Sequence, residues 1–236
     1  MEHGSAAKTR IGVALMVGLL VGLPATAADL PNWAQKMFDA PGHDFGTVAR
    51  AAKVEHRFRI TNLYRQPVHI ADVKTTCGCS AVRPTRTTLA SGESAWIEVL
   101  LDTRRFIHRK DSVVTVVFDA PARAVVHLPI RVFIRTDVVL SPGSADFAMV
   151  SEGTAATRRI GVAYAGRDDW TIREVRNSSP HIAARVEETR RGDGRVDYSL
   201  IVELKASAPA GRLRERLVLV TDESEASEVP VLVEAT

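Results

Sequence analysis

From residue 40 onward the chain alternates apolar and polar side chains with a period of two, and that pattern admits few folds. His56-Arg57-Phe58-Arg59-Ile60 alternates, as does Trp96-Ile97-Glu98-Val99 with Leu101. Residues 113–118 and 125–133 are β-branched runs, which fit a pleated, half-buried surface. Gln66-Pro67, Ser91-Gly92 and Ala120-Pro121 separate them with turn residues. Strands recurring at intervals of about 8–15 residues, punctuated in this way, read as an all-β sandwich. The one helical candidate is residues 32–38, with Asn32 as N-cap and Trp33, Met37 and Phe38 on one face. A composition of 45% hydrophobic and 25% charged residues excludes a disordered chain, a collagen-like repeat, a disulfide-dense miniprotein and a polytopic membrane protein.

The second half repeats the first. Asp44-Phe45 matches Asp146-Phe147 at an offset of 102, as do Ile60 with Val162 and Val73 with Val175. Later strands keep the pairing with slips of about one residue, Val116-Val117 against Leu219-Val220 and Ile130 against Val231. Two copies of about 100 residues predict two tandem immunoglobulin-like sandwiches, residues 43–137 and 138–236. The boundary falls within 136–144, where Ser141-Pro142-Gly143 supplies the linker, and Gly192-Asp193-Gly194 reads as a hairpin turn in the second copy.

Lys8 and Arg10 precede an uncharged apolar run of 13 residues, 11–23, followed by Pro24-Ala25-Thr26-Ala27-Ala28. A basic segment, a short apolar stretch and an Ala-x-Ala site predict a signal peptide over residues 1–27, cleaved after Ala27, with residues 28–42 as a lead-in. An uncleaved N-terminal anchor is the minor alternative. The expected location is the periplasm or cell envelope, with no integral membrane segment after cleavage. Removing Glu2, Lys8 and Arg10 takes the formal charge from +3 to +2, so nucleic-acid binding is not expected.

His43-Asp44-Phe45-Gly46-Thr47-Val48, the strand Phe58-Arg59-Ile60-Thr61-Asn62, His69-Ile70 and Thr75-Thr76-Cys77-Gly78-Cys79-Ser80 resemble the exported bacterial domain-of-unknown-function family 1573. The resemblance covers residues 33–136, and the upstream Trp33-Ala34-Gln35-Lys36-Met37-Phe38 is similar to a planctomycete-type branch. It implies immunoglobulin-like sandwiches related to the ASH and sperm-protein-like domains, and it brings no established activity.

Cys77-Gly78-Cys79 aligns with Ser179-Pro180-His181 in the second copy, so the fold itself does not require sulfur at this place. An extended i, i+2 pair stands near the upper limit of Cα separation for a disulfide, and a local bridge needs the tight turn that glycine permits. Export to an oxidising compartment favours a bridge over lasting free thiols. The first reading is therefore structural, a local bridge or half-buried thiols at a strand end. The alternatives are a disulfide to another protein, thiol redox exchange, and soft-metal binding by Cys77 and Cys79 with His69 as the nearest further ligand. Thr75, Thr76, Gly78 and Ser80 flank the pair and are the candidate contact site.

The remaining candidates read as structural. His56 is in phase with Phe58 and Ile60, and His127 sits in an apolar strand, so both are expected as core or edge residues. Asp168-Asp169 and Glu187-Glu188 are neighbours that point to opposite faces of a strand and are expected to be solvated. Arg212, Arg214 and Arg216 form a basic stripe, and Arg104, Arg105, Arg109 and Lys110 a second cluster. Each is expected to protect a sheet edge, or to pair with Asp222, Glu223, Glu225 and Glu228 across a hairpin, or to hold an anionic polymer of the envelope. The expected function is a non-catalytic interaction or scaffolding module without cofactor, whose partner is an envelope protein or such a polymer; the alternative is a thiol redox or soft-metal protein.

Overall fold

A computed structural model of the chain describes Met1, residues 32–78 and residues 80–236. The expected signal peptide beyond Met1, the first residues of the lead-in and Cys79 lie outside the described residues. Among the described residues no helix is long and apolar enough to cross a membrane.

The fold is all-β. The first half supplies β1 (His43–Arg50), β2 (Lys53–Thr61), β3 (Val68–Thr75), β4 (Ser80–Pro84), β5 (Thr88–Leu89), β6 (Ser94–Asp102), β7 (His108–Ala120) and β8 (Ala124–Ser141). The second supplies β9 (Ser144–Asp146), β10 (Ala156–Ala165), β11 (Ile172–Arg176), β12 (Ile182–Gly192), β13 (Arg195–Leu204), β14 (Leu213–Thr221) and β15 (Glu228–Ala235). They form three sheets: β12-β13-β10-β8-β7-β3-β5 with β1 beside β8, then β11-β14-β15-β9, then β2-β6-β4.

Period-two burial builds the interior. Phe58 and Ile60 of β2, Ile97 of β6, and Val114, Val116 and Phe118 of β7 close one core. Trp170, Phe147, Leu200 and Val231 close another. A smaller cluster of Val48, Val54, Cys77, Leu101, Val132 and Ile134 draws on both sheets of the first half.

The strand β8 ties the halves together. Its earlier residues pair antiparallel with β7, and Val138–Ser141 pair antiparallel with β10 of the second half. The expected linker is therefore strand through Ser141, and the break is confined to Pro142-Gly143. Lys53 N–H donates to Gly143 O at 3.0 Å, and a Cβ on Gly143 would lie 1.8 Å from Ala51 O. Glycine is required here by close approach. Ala49 and Ala52 pack into the second core, and Thr103 Oγ1 holds their turn by donating to Ala52 O at 2.9 Å.

The repeat has a physical meaning. The first strand of each half runs parallel to its last, β1 to β8 and β9 to β15. Asp44 accepts from Gly46 N–H at 2.8 Å, and its counterpart Asp146 accepts from Ala148 N–H at the same 2.8 Å. Both recipients have left-handed backbone, φ 66° at Gly46 and 53° at Ala148. In the second half the expected hairpin forms at Asp193-Gly194, where φ is 57° and 70°.

The lead-in corrects the helical expectation. Only Gln35–Met37 are helical, as a single 3-10 turn, and Phe38 is already extended. Asn32 Oδ1 accepts from Ala34 N–H at 3.1 Å while its amide donates to Val125 O. Trp33 then packs edge-on against Tyr64 and tilted against Phe118, so burial rather than helical propensity shapes the segment.

Candidate functional site

Two regions carry chemistry. The first is the turn after β3. Cys77 is buried and disulfide-bonded, and the chain's other cysteine is residue 79. Thr75 Oγ1 accepts from Cys77 N–H at 3.4 Å, just as Asn177 Oδ1 accepts from Ser179 N–H at 3.0 Å in the second copy. Cys77 and Ser179 are buried alike, at 7% exposure each. The two copies therefore build the same side-chain-closed turn, one with sulfur and one without. Thr75 and Thr76 hydroxyls both lie 3.1 Å from Ser112 Oγ, and Thr76 also accepts from Val113 N–H, so these threonines brace β7. A Cβ on Gly78 would meet open space, and Ser80 begins β4.

His69 does not join this turn. It lies at the start of β3, about 20 Å along an extended strand from the Thr75 end, and its Nδ1 is 2.7 Å from Asp119 Oδ1. The expectation of His69 as a third ligand is corrected accordingly. Among the described residues no group of three His, Cys, Asp or Glu could hold a metal ion.

The second region was not visible in the sequence. A cleft of about 470 Å³ opens where residues 43–46 of β1 and 53–55 of β2 meet residues 214–216 of β14 and 230–232 of β15. Phe45 and Val54 line it and also belong to the cluster that holds Cys77, so the cleft and the cysteine turn share one apolar wall. His43 and His56 face each other from β1 and β2 with ring centroids 3.6 Å apart and nearly parallel. Burial lowers the pKa of both, and His56 falls to about 4 with His43 as a further cause. Asp44 opposes the shift at His43 and Arg216 adds to it. Both rings are thus held neutral, which is what a close parallel stack requires.

One edge of β2 borders the cleft. β2 pairs with β6 along its length, so its other edge carries the outward N–H and C=O groups of alternate residues. Asp39 takes both groups of Arg59, at 3.0 and 3.1 Å, and Gly143 O takes Lys53 N–H. Between these two ends, Glu55 and Arg57 form the open stretch of the edge, with no outward backbone partner among the described residues.

An ion network seals the wall between the halves. Arg214, 8% exposed at its side chain, reaches Glu55 and Glu234 at 2.5 Å each and Glu98 at 4.0 Å. Glu98 also faces Arg83 at 2.7 Å, Arg57 at 3.1 Å and Arg212 at 3.6 Å. Burial works to raise its pKa, and the Arg83 hydrogen bond with the surrounding guanidinium charge outweighs burial and holds it below the usual range. Glu55 is pushed up by burial despite Arg214 and Arg57. Across the junction Arg135, also 8% exposed, pairs with Asp137 and with Glu223 at 2.6 Å.

The basic stripe is thereby corrected. Arg214 is an interior clamp rather than an edge guard, because β14 pairs with β15 in a register that puts Arg214 opposite Glu234. The acidic run serves other arginines: Asp222 binds Arg167 and Glu228 binds Arg176, both at 2.8 Å. Asp168 is not merely solvated, since its Oδ1 accepts from Gly194 N–H at 2.7 Å and pins the hairpin. Glu188 pairs with Arg191 at 2.6 Å. His127 is on the exposed face of β8, with Nδ1 3.3 Å from Thr115 Oγ1.

These features define an all-β protein of paired sheets with a cleft at the junction of its halves. Residues 37–133 match the family model described as protein of unknown function (DUF1573), and over this stretch the chain is similar to that family. No curated protein matches the chain. Among solved structures it is similar to a protein of unknown function from Porphyromonas gingivalis W83, at 12% identity and a TM-score of 0.37, covering 84% of this chain and 97% of that one. It is also similar to SSP-19, an MSP-domain protein like family member of Caenorhabditis elegans, at 15% identity and a TM-score of 0.33, covering 41% and 98%. The N-terminal Ig1-2 module of the Drosophila receptor protein tyrosine phosphatase DLAR is similar at 11% identity and a TM-score of 0.34, covering 84% and 96%.

Proposed function

We propose that this chain is an exported, non-catalytic interaction module of the cell envelope, built from two tandem immunoglobulin-like sandwiches. Its partner is an envelope protein that lays an extended segment along β2. The observation that carries the reading is the open stretch of β2 at Glu55 and Arg57, bordering the 470 Å³ cleft and bounded at both ends by bonds from the chain itself. A guest strand would pair with the free N–H and C=O groups and place a side chain against Phe45 and Val54. Arg57→Pro tests it, because proline removes an N–H that β6 does not use and is tolerated at a sheet edge. Cross-linking in the exporting cell should recover a partner with the native chain and with Arg57→Gln, and lose it with Arg57→Pro. Equal recovery with Arg57→Pro refutes the reading.

A second reading, thiol redox chemistry, is favoured by the disulfide at Cys77. Intact mass after alkylation, with and without prior reduction, tests it. Labels added only after strong reduction of unfolded protein argue for a structural bridge. Labelling of the native protein after mild reduction favours exchange.

A further inference from the structure

The outer face of the β2-β6-β4 sheet carries a feature the cleft does not use. The registers place Arg59 opposite Trp96, and place Arg57, Glu98 and Arg83 in one row across all three strands. Thr85 completes the first row, donating its N–H to Trp96 O at 2.8 Å and accepting from Trp96 N–H at 3.0 Å. Neighbouring strands stand about 5 Å apart and same-face rows about 7 Å, so an indole and three guanidiniums share a platform roughly 10 Å wide. Arg212 borders it from the second half, 3.6 Å from Glu98.

The charge on this face is unbalanced. Arg57, Arg83 and Arg212 surround Glu98, which is itself buried beneath them. Arg59 stands in the next row against Ser94, and Glu55, 3.9 Å from Arg57, is the face's other carboxylate beside the network. Arg86 is already matched by Glu93, and Asp39 at the sheet edge accepts from the backbone N–H of Arg59. Trp96 stands 40% exposed among these cations, and the side chains of Arg83 and Arg212 are 58% and 42% exposed. The central strand β6 is paired on both sides, so the face offers side chains and no backbone groups.

We propose that this face binds an anionic polysaccharide. A sugar ring would lie on the indole of Trp96 while its carboxylate or phosphate groups engage the forks of Arg59 and Arg83. An acidic peptide draws its specificity from ladder bonds or from pockets, and the flat surface over Trp96, on a strand paired on both sides, provides neither. A rigid ring that carries charge beside an apolar surface matches an indole flanked by guanidiniums. Trp96, Arg59 and Arg83 do not line the cleft, although Arg57 and Glu98 also belong to the ion network of its wall, and the proposal holds whether or not β2 takes a guest strand.

Affinity electrophoresis of the mature protein in gels containing polygalacturonate, a phosphomannan or neutral dextran tests the proposal. Retardation by at least one of the charged polymers, and none by dextran, is expected. Trp96→Ala should weaken binding about tenfold, and the pair Arg59→Gln with Arg83→Gln by at least as much. All three residues are exposed, so circular dichroism should confirm that the variants fold. Arg216→Gln, a cation of the cleft outside this face, should leave affinity unchanged. The proposal is overturned if neither charged polymer binds, if Trp96→Ala binds as tightly as the native chain, or if Arg216→Gln loses as much as the platform variants. It is also overturned if poly-glutamate or duplex DNA binds as tightly as the polysaccharides.

Discussion

Replacing Arg214 with methionine keeps most of its volume and deletes one charge at the junction of the halves. Its side chain is 8% exposed and reaches Glu55 and Glu234 at 2.5 Å each, while those carboxylates are 19% and 20% exposed. Breaking a fully buried pair from one side costs about 3–5 kcal/mol, because the remaining charge is left without a partner. Exposed pairs contribute at most about 1 kcal/mol. Two stranded carboxylates with partial access to water place Arg214→Met near the lower end of the buried range, about 3 kcal/mol. With a urea slope of about 2–3 kcal/mol per molar, the midpoint should fall by about 1–1.5 M at pH 7. The deficit should also depend on pH. Glu55 already titrates above its ordinary value because burial outweighs Arg214 and Arg57. Without Arg214 its folded pKa rises further, so proton uptake favours the folded variant as pH falls toward that value, and the deficit narrows. Arg214→Lys should fall between the two, since one ammonium cannot fork to both carboxylates. A midpoint loss under about 0.3 M at pH 7, or a deficit that does not change between pH 7 and pH 5, would refute the account of Arg214 as the clamp.

Three further outcomes follow from the packing. Gly143→Ala would put a methyl group 1.8 Å from Ala51 O, and backbone must move to admit it; a loss of at least about 2 kcal/mol in denaturant unfolding is expected. The paired Asp turns predict opposite signs: Ala148→Gly should stabilise by about 0.5–1 kcal/mol by relieving left-handed backbone, and Gly46→Ala should destabilise by about 1 kcal/mol, both read from thermal unfolding. His56, lowered to about 4, binds its proton less readily folded than unfolded, so stability is full above the unfolded value near 6.5 and declines as pH falls toward 4. Because the ring is half-buried, that decline should be about 1–2 kcal/mol, and His56→Gln should flatten it in a stability–pH profile.

The all-β fold was legible because alternation reports on one residue's surroundings at a time. Phe58, Ile60, Val114 and Val116 had to share an interior whatever the strands' order, since a one-residue slip would turn each set to water. The offset of 102 was legible for the same reason, and it located Asp44 and Asp146 without revealing that both close the same turn. The burial of Cys77 was less plain, and only its equivalence with Ser179 shows that the turn exists independently of sulfur.

What tertiary structure alone decided are the relations between residues far apart in sequence. Arg214 read as one of three exposed arginines because nothing local distinguishes it from Arg212 and Arg216; its burial depends on β2, 159 residues earlier, presenting Glu55 across the junction. His43 and His56 belong to different sheets, and their stack depends on how those sheets face each other. The lead-in looked helical by spacing, yet contacts with Tyr64, Phe118 and Val125 outweigh the weak preference of so short a segment. Local pattern determines which face of each strand is buried; the cleft and the arginine–tryptophan platform exist only once register and sheet order bring distant side chains within a few ångströms.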